Sequence, residues 1–283
     1  MPRSNQSRIS SKKQNKNIGE PDSFHDDNTD VSENPLQFIV PTEVVDLPSK
    51  GRFYPPSHPL YNVESIEIRH MTAKEEDLLT STTLLRKGTA LDKVVQNVIV
   101  DKRVLVDDLL LGDKNSIIIH SRIFGYGNEF TTSLTCPKCS APFTNVFDLE
   151  EVKAKDYERE LIKYDIELTE SNTFTMVLPR SQAIVEFRLL TTRDEKKLLG
   201  KGKNIGSIQL LEAIVVSLNN QTDDFYIKRA IAHLPIMDAT VLKRVYSKII
   251  PDLDMTQEVE CPECGNNSEM GVPLDANFFW PDF

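Results

Sequence analysis

Apolar and polar positions change rhythm several times along the chain. Ile66-Glu67-Ile68-Arg69 alternates with a period of two, the pattern of a half-buried strand. It runs into Thr72-Ala73-Lys74-Glu75-Glu76, a threonine followed by acidic residues, which starts a helix. The succession recurs at Val185-Glu186-Phe187-Arg188, followed by Thr191-Thr192-Arg193-Asp194-Glu195. Thr72-x-x-Glu75 and Thr192-x-x-Glu195 have the form of a capping box. Val94 to Val100 and Leu210 to Val216 are apolar runs that read as buried helices. From Ile66 to Tyr126 the pattern predicts a strand and three or four short helices, then a hairpin from Glu129 to Leu149. Val152 to Tyr164 is charged and periodic, a surface helix. A second hairpin is expected over Thr173 to Leu190, with helices at 192–200, 207–218, 224–233 and 239–249. Met255 to Glu260 and Ser268 to Leu274 supply a closing pair of strands.

The recurrence extends beyond these segments. Asp113 and Asp238 each precede an apolar helix, and each lies 23 residues before a cysteine, Cys136 or Cys261. Leu149 and Leu274 each follow that cysteine by 13 residues. Leu47-Pro48-Ser49 has a partial echo in Leu178-Pro179-Arg180-Ser181. Matching order and equal spacings predict a duplicated unit, hence an α+β fold of two pseudo-repeated β-hairpin/helical units. The expected divisions are a polar tail at 1–35, a proline-rich arm at 36–62 and a first repeat at 63–150. A linker helix at 151–172 and a second repeat at 173–283 follow.

The four cysteines, Cys136, Cys139, Cys261 and Cys264, form two Cys-Pro-x-Cys pairs. A two-residue gap suits a knuckle turn that aims two thiolates at one ion, and four thiolates close a structural zinc site. The proline fixes φ inside the turn, and Gly265 can take φ > 0 after the last cysteine. Independent redox pairs or disulfides are the alternative, which a reducing compartment disfavours. The pairs lie about 120 residues apart, farther than in a simple ribbon. Duplication resolves this: each copy contributes one knuckle, and a pseudo-twofold arrangement sets them side by side around one zinc per chain.

Residues 1–35 are rich in Ser, Asn, Lys and Asp and carry almost no aromatics, so they are expected to be disordered. The arm, Leu47-Pro48-Ser49-Lys50-Gly51-Arg52-Phe53-Tyr54-Pro55-Pro56, suppresses helix. It either packs along its own domain or inserts into a neighbour, in which case Leu47, Pro48, Lys50, Phe53 and Tyr54 are partner contacts. The run Phe278-Phe279-Trp280-Pro281-Asp282-Phe283 holds the sole tryptophan and demands burial. It packs against the ribbon, or Phe279 and Trp280 sit at a subunit contact.

A net charge of −10 argues against nonspecific binding to nucleic acid or an anionic membrane. No apolar run approaches the roughly 18 residues of a membrane span, and residues 1–17 lack the apolar core of a signal peptide. The five histidines, His25, His58, His70, His120 and His233, are scattered. No nucleophile elbow, dinucleotide fingerprint or Walker motif occurs. A metal held by all four cysteines has no open position for water. The expectation is a protein that is not an enzyme.

Several segments together resemble the baseplate hub subunit family of contractile-tailed (T-even-type) bacteriophages. The resemblance rests on Leu47-Pro48-Ser49-Lys50-Gly51 with Tyr54-Pro55, on Met71 to Glu76, and on Asp92 to Asp108. It continues through Gly112-Asp113, Pro251 to Met255, Cys261-Pro262-Glu263-Cys264 and Phe278 to Pro281, and so covers roughly residues 40–283. It implies a structural subunit that acts through other hub and tail proteins, without a small-molecule substrate, in a virion tail assembled in the host cytoplasm. Related hub-assembly proteins act transiently, and a zinc-ribbon adaptor for nucleic acid or a polymerase is a third possibility.

Overall fold

The computed structural model describes residues 40–200, 206–274 and 276–279, and the tail at 1–35 lies outside the described residues. Strand β1 (Thr42–Asp46), which falls within the arm expected at 36–62, pairs antiparallel with β2 (Ser65–Arg69), and residues 47–62 of that arm form the loop between them. Within that loop Lys50 and Gly51 both take positive φ, and a Cβ on Gly51 would lie 2.4 Å from the Leu60 carbonyl and the Val63 amide. Only glycine fits that approach. Three short helices follow, α1 (Ala73–Thr80), α2 (Thr82–Lys87) and α3 (Ala90–Val98). Ile99 then bridges back to Ile68 of β2. After a 3-10 turn at Val106–Asp108, α4 (Leu111–Tyr126) leads into the hairpin of β3 (Glu129–Thr135) and β4 (Pro142–Asp148).

The middle of the chain departs from expectation. The surface helix is short, α5 (Tyr157–Lys163), because Lys153–Ala154 instead forms β5. Beyond it, β6 (Glu167–Leu168), β7 (Phe174–Val177), β8 (Ile184–Phe187) and β9 (Val215–Leu218) make a four-stranded antiparallel sheet in chain order. Helices α6 (Thr192–Leu199) and α7 (Ser207–Ile214) lie between β8 and β9. The helix read over 207–218 therefore stops at Ile214, since β-branched Val215 opens a strand that pairs with β8, with Val216 left at a bulge between the Val215 and Ser217 pairs. Next come α8 (Asp224–Ala232), α9 (Ile236–Ile249), β10 (Leu253–Asp254), which pairs with β5, and the hairpin of β11 (Thr256–Glu260) and β12 (Asn267–Gly271).

The two stretches use the same devices. Arg69 holds Glu75 at 2.6 Å and donates to the His70 carbonyl, while Arg188 holds Asp194 at 2.7 Å and donates to the Leu189 carbonyl. Thr72 caps α1 in a box with Glu75, and Thr191 caps α6 in a box with Asp194. The second box thus sits one residue earlier than Thr192-x-x-Glu195. Thr192 donates instead to the Leu109 carbonyl, and Glu195 takes the Lys114 ammonium at 2.5 Å. Asp113 and Asp238 lie inside the first turns of α4 and α9 rather than ahead of them, and both are fully buried. Asp113 accepts from the Ser49 amide and hydroxyl and from Tyr54. Asp238 accepts from the amides of Arg180 and Ser181. Each carboxylate thereby ties a long helix to a Leu-Pro turn.

One continuous apolar core runs through both stretches. Polar contacts also cross between them. Lys196 bridges Asp92 at 3.0 Å and Asp107 at 2.5 Å, and Arg193 reaches Asp108 at 2.7 Å. A Cβ on Gly112 would sit 1.8 Å from the Pro251 carbonyl, so α4 meets the chain entering β10 with no room for a side chain.

Candidate metal centre

Each hairpin ends in the same six-residue loop. In the first, the Cys136 amide donates to the Ala141 carbonyl and the Ser140 amide to the Cys136 carbonyl. In the second, the Cys261 amide donates to Asn266 and the Gly265 amide to Cys261. The fifth residue is left-handed in both, Ser140 at φ 59° and Gly265 at φ 61°. This turn brings both cysteines of a pair to one side.

The four Sγ atoms lie within 4.8 Å of one another. The nearest contacts across the loops, Cys136 to Cys264 and Cys139 to Cys261, are both 3.8 Å. No pair is near the 2.05 Å or so of a disulfide. A tetrahedral ion with bonds of about 2.3 Å separates its sulfurs by about 3.8 Å, so the spacing fits one thiolate-bound ion. Cys136 and Cys261 are buried, and Cys139 and Cys264 face outward.

The loops also prepare the thiolates. Amides of Cys139 and Lys138 point at Cys136 and, with the neighbouring thiols, lower it to about 6. The Asn266 amide favours the Cys264 thiolate, but the surrounding sulfurs of Cys139, Cys136 and Cys261 outweigh it and push that thiol up to about 12. Four adjacent sulfurs cannot all carry charge without a cation, and a bound cation reverses that preference. Four thiolates fill a tetrahedron, which makes such a site structural.

The hairpins are held together apart from their cysteines. Gln257 of β11 donates to the Asp148 carbonyl at 2.6 Å and accepts from the Asp148 amide at 3.3 Å. Arg122, 1% exposed, reaches from α4 to the carbonyls of Gly127, Glu129 and Phe278. It fixes the base of the first hairpin and the C-terminal aromatic turn together. Neither residue stood out in the sequence, although a cation inside the apolar stretch Ile117 to Phe124 is a signal of its own.

The expected contact residues divide. Leu47, Pro48, Phe53, Tyr54 and Phe279 are buried within the chain's own core, while Lys50 is exposed. Phe53 packs edge-on to Tyr157 and against Phe174, and the Tyr54 hydroxyl accepts from the Leu110 amide while donating to Asp113. Own-domain packing is thus the conformation of the arm. Phe278 packs on Phe130 of the first hairpin at 5.1 Å, so the aromatic turn lies against the ribbon. Trp280 lies outside the described residues.

The family model described as T4 bacteriophage base plate protein matches residues 40–280. The chain belongs to this base plate protein family. The match spans both hairpins and all four cysteines. No curated protein and no solved structure matches the chain. Among the described residues of this base plate protein, no helix is long and apolar enough to cross a membrane.

Proposed function

We propose that the chain is a structural subunit of the base plate hub, built from a duplicated unit and clasped by a single structural zinc. Membership of the base plate family over residues 40–280 carries the functional reading. The work of such a subunit is contact with other hub and tail proteins in a virion tail assembled in the host cytoplasm. Of the contact residues expected in the arm, Lys50 offers an exposed side chain, and the buried aromatics below it give its turn a fixed shape.

The paired capping boxes, the paired buried aspartates and the like-folded cysteine loops support duplication, because these devices recur in the same order. A four-thiolate donor set at tetrahedral spacing supports zinc. Zinc would be held by Cys136, Cys139, Cys261 and Cys264, and would supply a cross-link between segments far apart in the chain.

Quantitative mass spectrometry of purified phage particles tests the reading. A fixed, small number of copies per particle is the expected result. Absence from particles, with abundance in infected-cell extract, would overturn it in favour of a transient assembly factor.

A further inference from the structure

Exposure divides the four thiols in a way that metal binding does not use. Cys139 and Cys264 face outward, while Cys136 and Cys261 are buried. Each 3.8 Å contact across the loops joins one of each kind, Cys264 to Cys136 and Cys139 to Cys261. The sulfur that an external oxidant meets first therefore has a sheltered sulfur of the other hairpin beside it. These are the chain's only cysteines, so no other thiol of the chain competes.

We propose that the cluster is also a redox site, which a peroxide converts into two disulfides that cross between the hairpins, Cys136–Cys264 and Cys139–Cys261. The exposed thiolate attacks a peroxide oxygen: an S–O bond forms, the O–O bond breaks, and a sulfenic acid and hydroxide result. The buried thiol opposite then attacks the sulfenic sulfur. The S–S bond forms, the S–O bond breaks, and the hydroxyl leaves as water with the thiol proton. In sum, two thiols give up two electrons to one peroxide, which becomes two waters. Any bound ion leaves as its thiolates are consumed.

The loops favour crossing over closure within a pair. Hydrogen bonds from the Cys136 amide to Ala141 and from the Ser140 amide to Cys136 pin the first loop, and amides of Cys139 and Lys138 hold the Cys136 sulfur. Drawing Cys136 and Cys139 together bends that backbone. The hairpins, in contrast, are joined by the Gln257 side chain at Asp148, which yields more readily. Closing each cross-hairpin gap moves each sulfur by about 1 Å. The clasp thereby outlasts its metal outside a reducing compartment. This pairing rests on the sulfur positions alone, and depends on neither the identity of the ion nor the hub reading.

Limiting hydrogen peroxide on the full chain as purified, followed by alkylation and peptide mass spectrometry, tests the pairing. Cleavage after Lys138 and after Glu263 separates all four cysteines. The expected result is that cross-hairpin peptides outnumber within-loop ones several-fold and that dithiothreitol abolishes them. In urea the preference should reverse, because closing a two-residue gap costs less chain entropy than joining cysteines 122 or 128 positions apart. The oxidised chain should also keep its melting temperature in a strong chelator. Within-loop disulfides in the folded chain would overturn the proposal. So would sulfinic or sulfonic acids formed without any disulfide, or an oxidised chain that the chelator still destabilises.

Discussion

At the scale of single residues, the two cysteine loops differ in one informative place. Ser140 adopts φ 59° where the other loop has Gly265 at φ 61°. A left-handed conformation costs an L-residue about 1–2 kcal/mol, part of which is offset by the greater freedom of an unfolded glycine. Ser140→Gly should therefore stabilise the protein by about 0.5–1 kcal/mol in urea denaturation. Glu75 gives a second residue-scale prediction. Burial raises its pKa, but the Arg69 and Thr72 hydrogen bonds outweigh that and lower it from 4.5 to about 2. A depressed folded pKa contributes stability that is present above pH 4.5 and lost as pH falls through about 2. The shift corresponds to about 3 kcal/mol for this fully buried side chain. Glu75→Gln should flatten the stability profile between about pH 4.5 and 2, as measured by denaturation at successive pH values. The Thr72–Glu75 box was readable in the sequence, whereas its counterpart was displaced because Thr192-x-x-Glu195 matches the common pattern better than Thr191-x-x-Asp194.

At the scale of elements, close approach and cross-hairpin bonding decide the geometry. The first turn of α4 abuts the Pro251 carbonyl at Gly112, and the atoms in the way are backbone, which cannot swing aside. Gly112→Ala should destabilise the fold by about 3 kcal/mol, seen as a lower denaturation midpoint with an unchanged slope. Gln257 spans the two hairpins with two hydrogen bonds to Asp148, each worth about 1 kcal/mol. Gln257→Ala should destabilise the fold by about 2 kcal/mol in urea denaturation, leaving all four cysteines intact. Periodicity and turn residues located β2, the hairpin of β3 and β4, and helices α6, α8 and α9. They did not locate the short strands β1, β5, β6 and β10, whose partners are remote or whose runs are too short to show a period. The end of α7 was not legible, because Ala213 to Leu218 is apolar but for Ser217 and only pairing with β8 makes its last part a strand. Gly112 and Gln257 were silent for a similar reason: their partners are remote in sequence.

At the scale of the molecule, one core, a network of ion pairs and a cysteine cluster join two similarly built stretches. The cluster could be foreseen from spacing, since two Cys-Pro-x-Cys pairs preceded by matching helices imply a shared site. The inward fate of Phe53 and Tyr54 could not, because an extended aromatic arm has the same sequence whether it folds home or reaches out. If zinc joins the hairpins, the metal stabilises folding, because four thiolates are not gathered in the unfolded chain. Cys261→Ser should lose the metal and melt at lower temperature, and a strong chelator should do the same to the wild type.

The most direct test is the metal content of the purified protein, combined with zinc-edge X-ray absorption. The account predicts one zinc per chain with four sulfur neighbours at about 2.3 Å. A fully folded, metal-free chain whose four thiols react freely would contradict it.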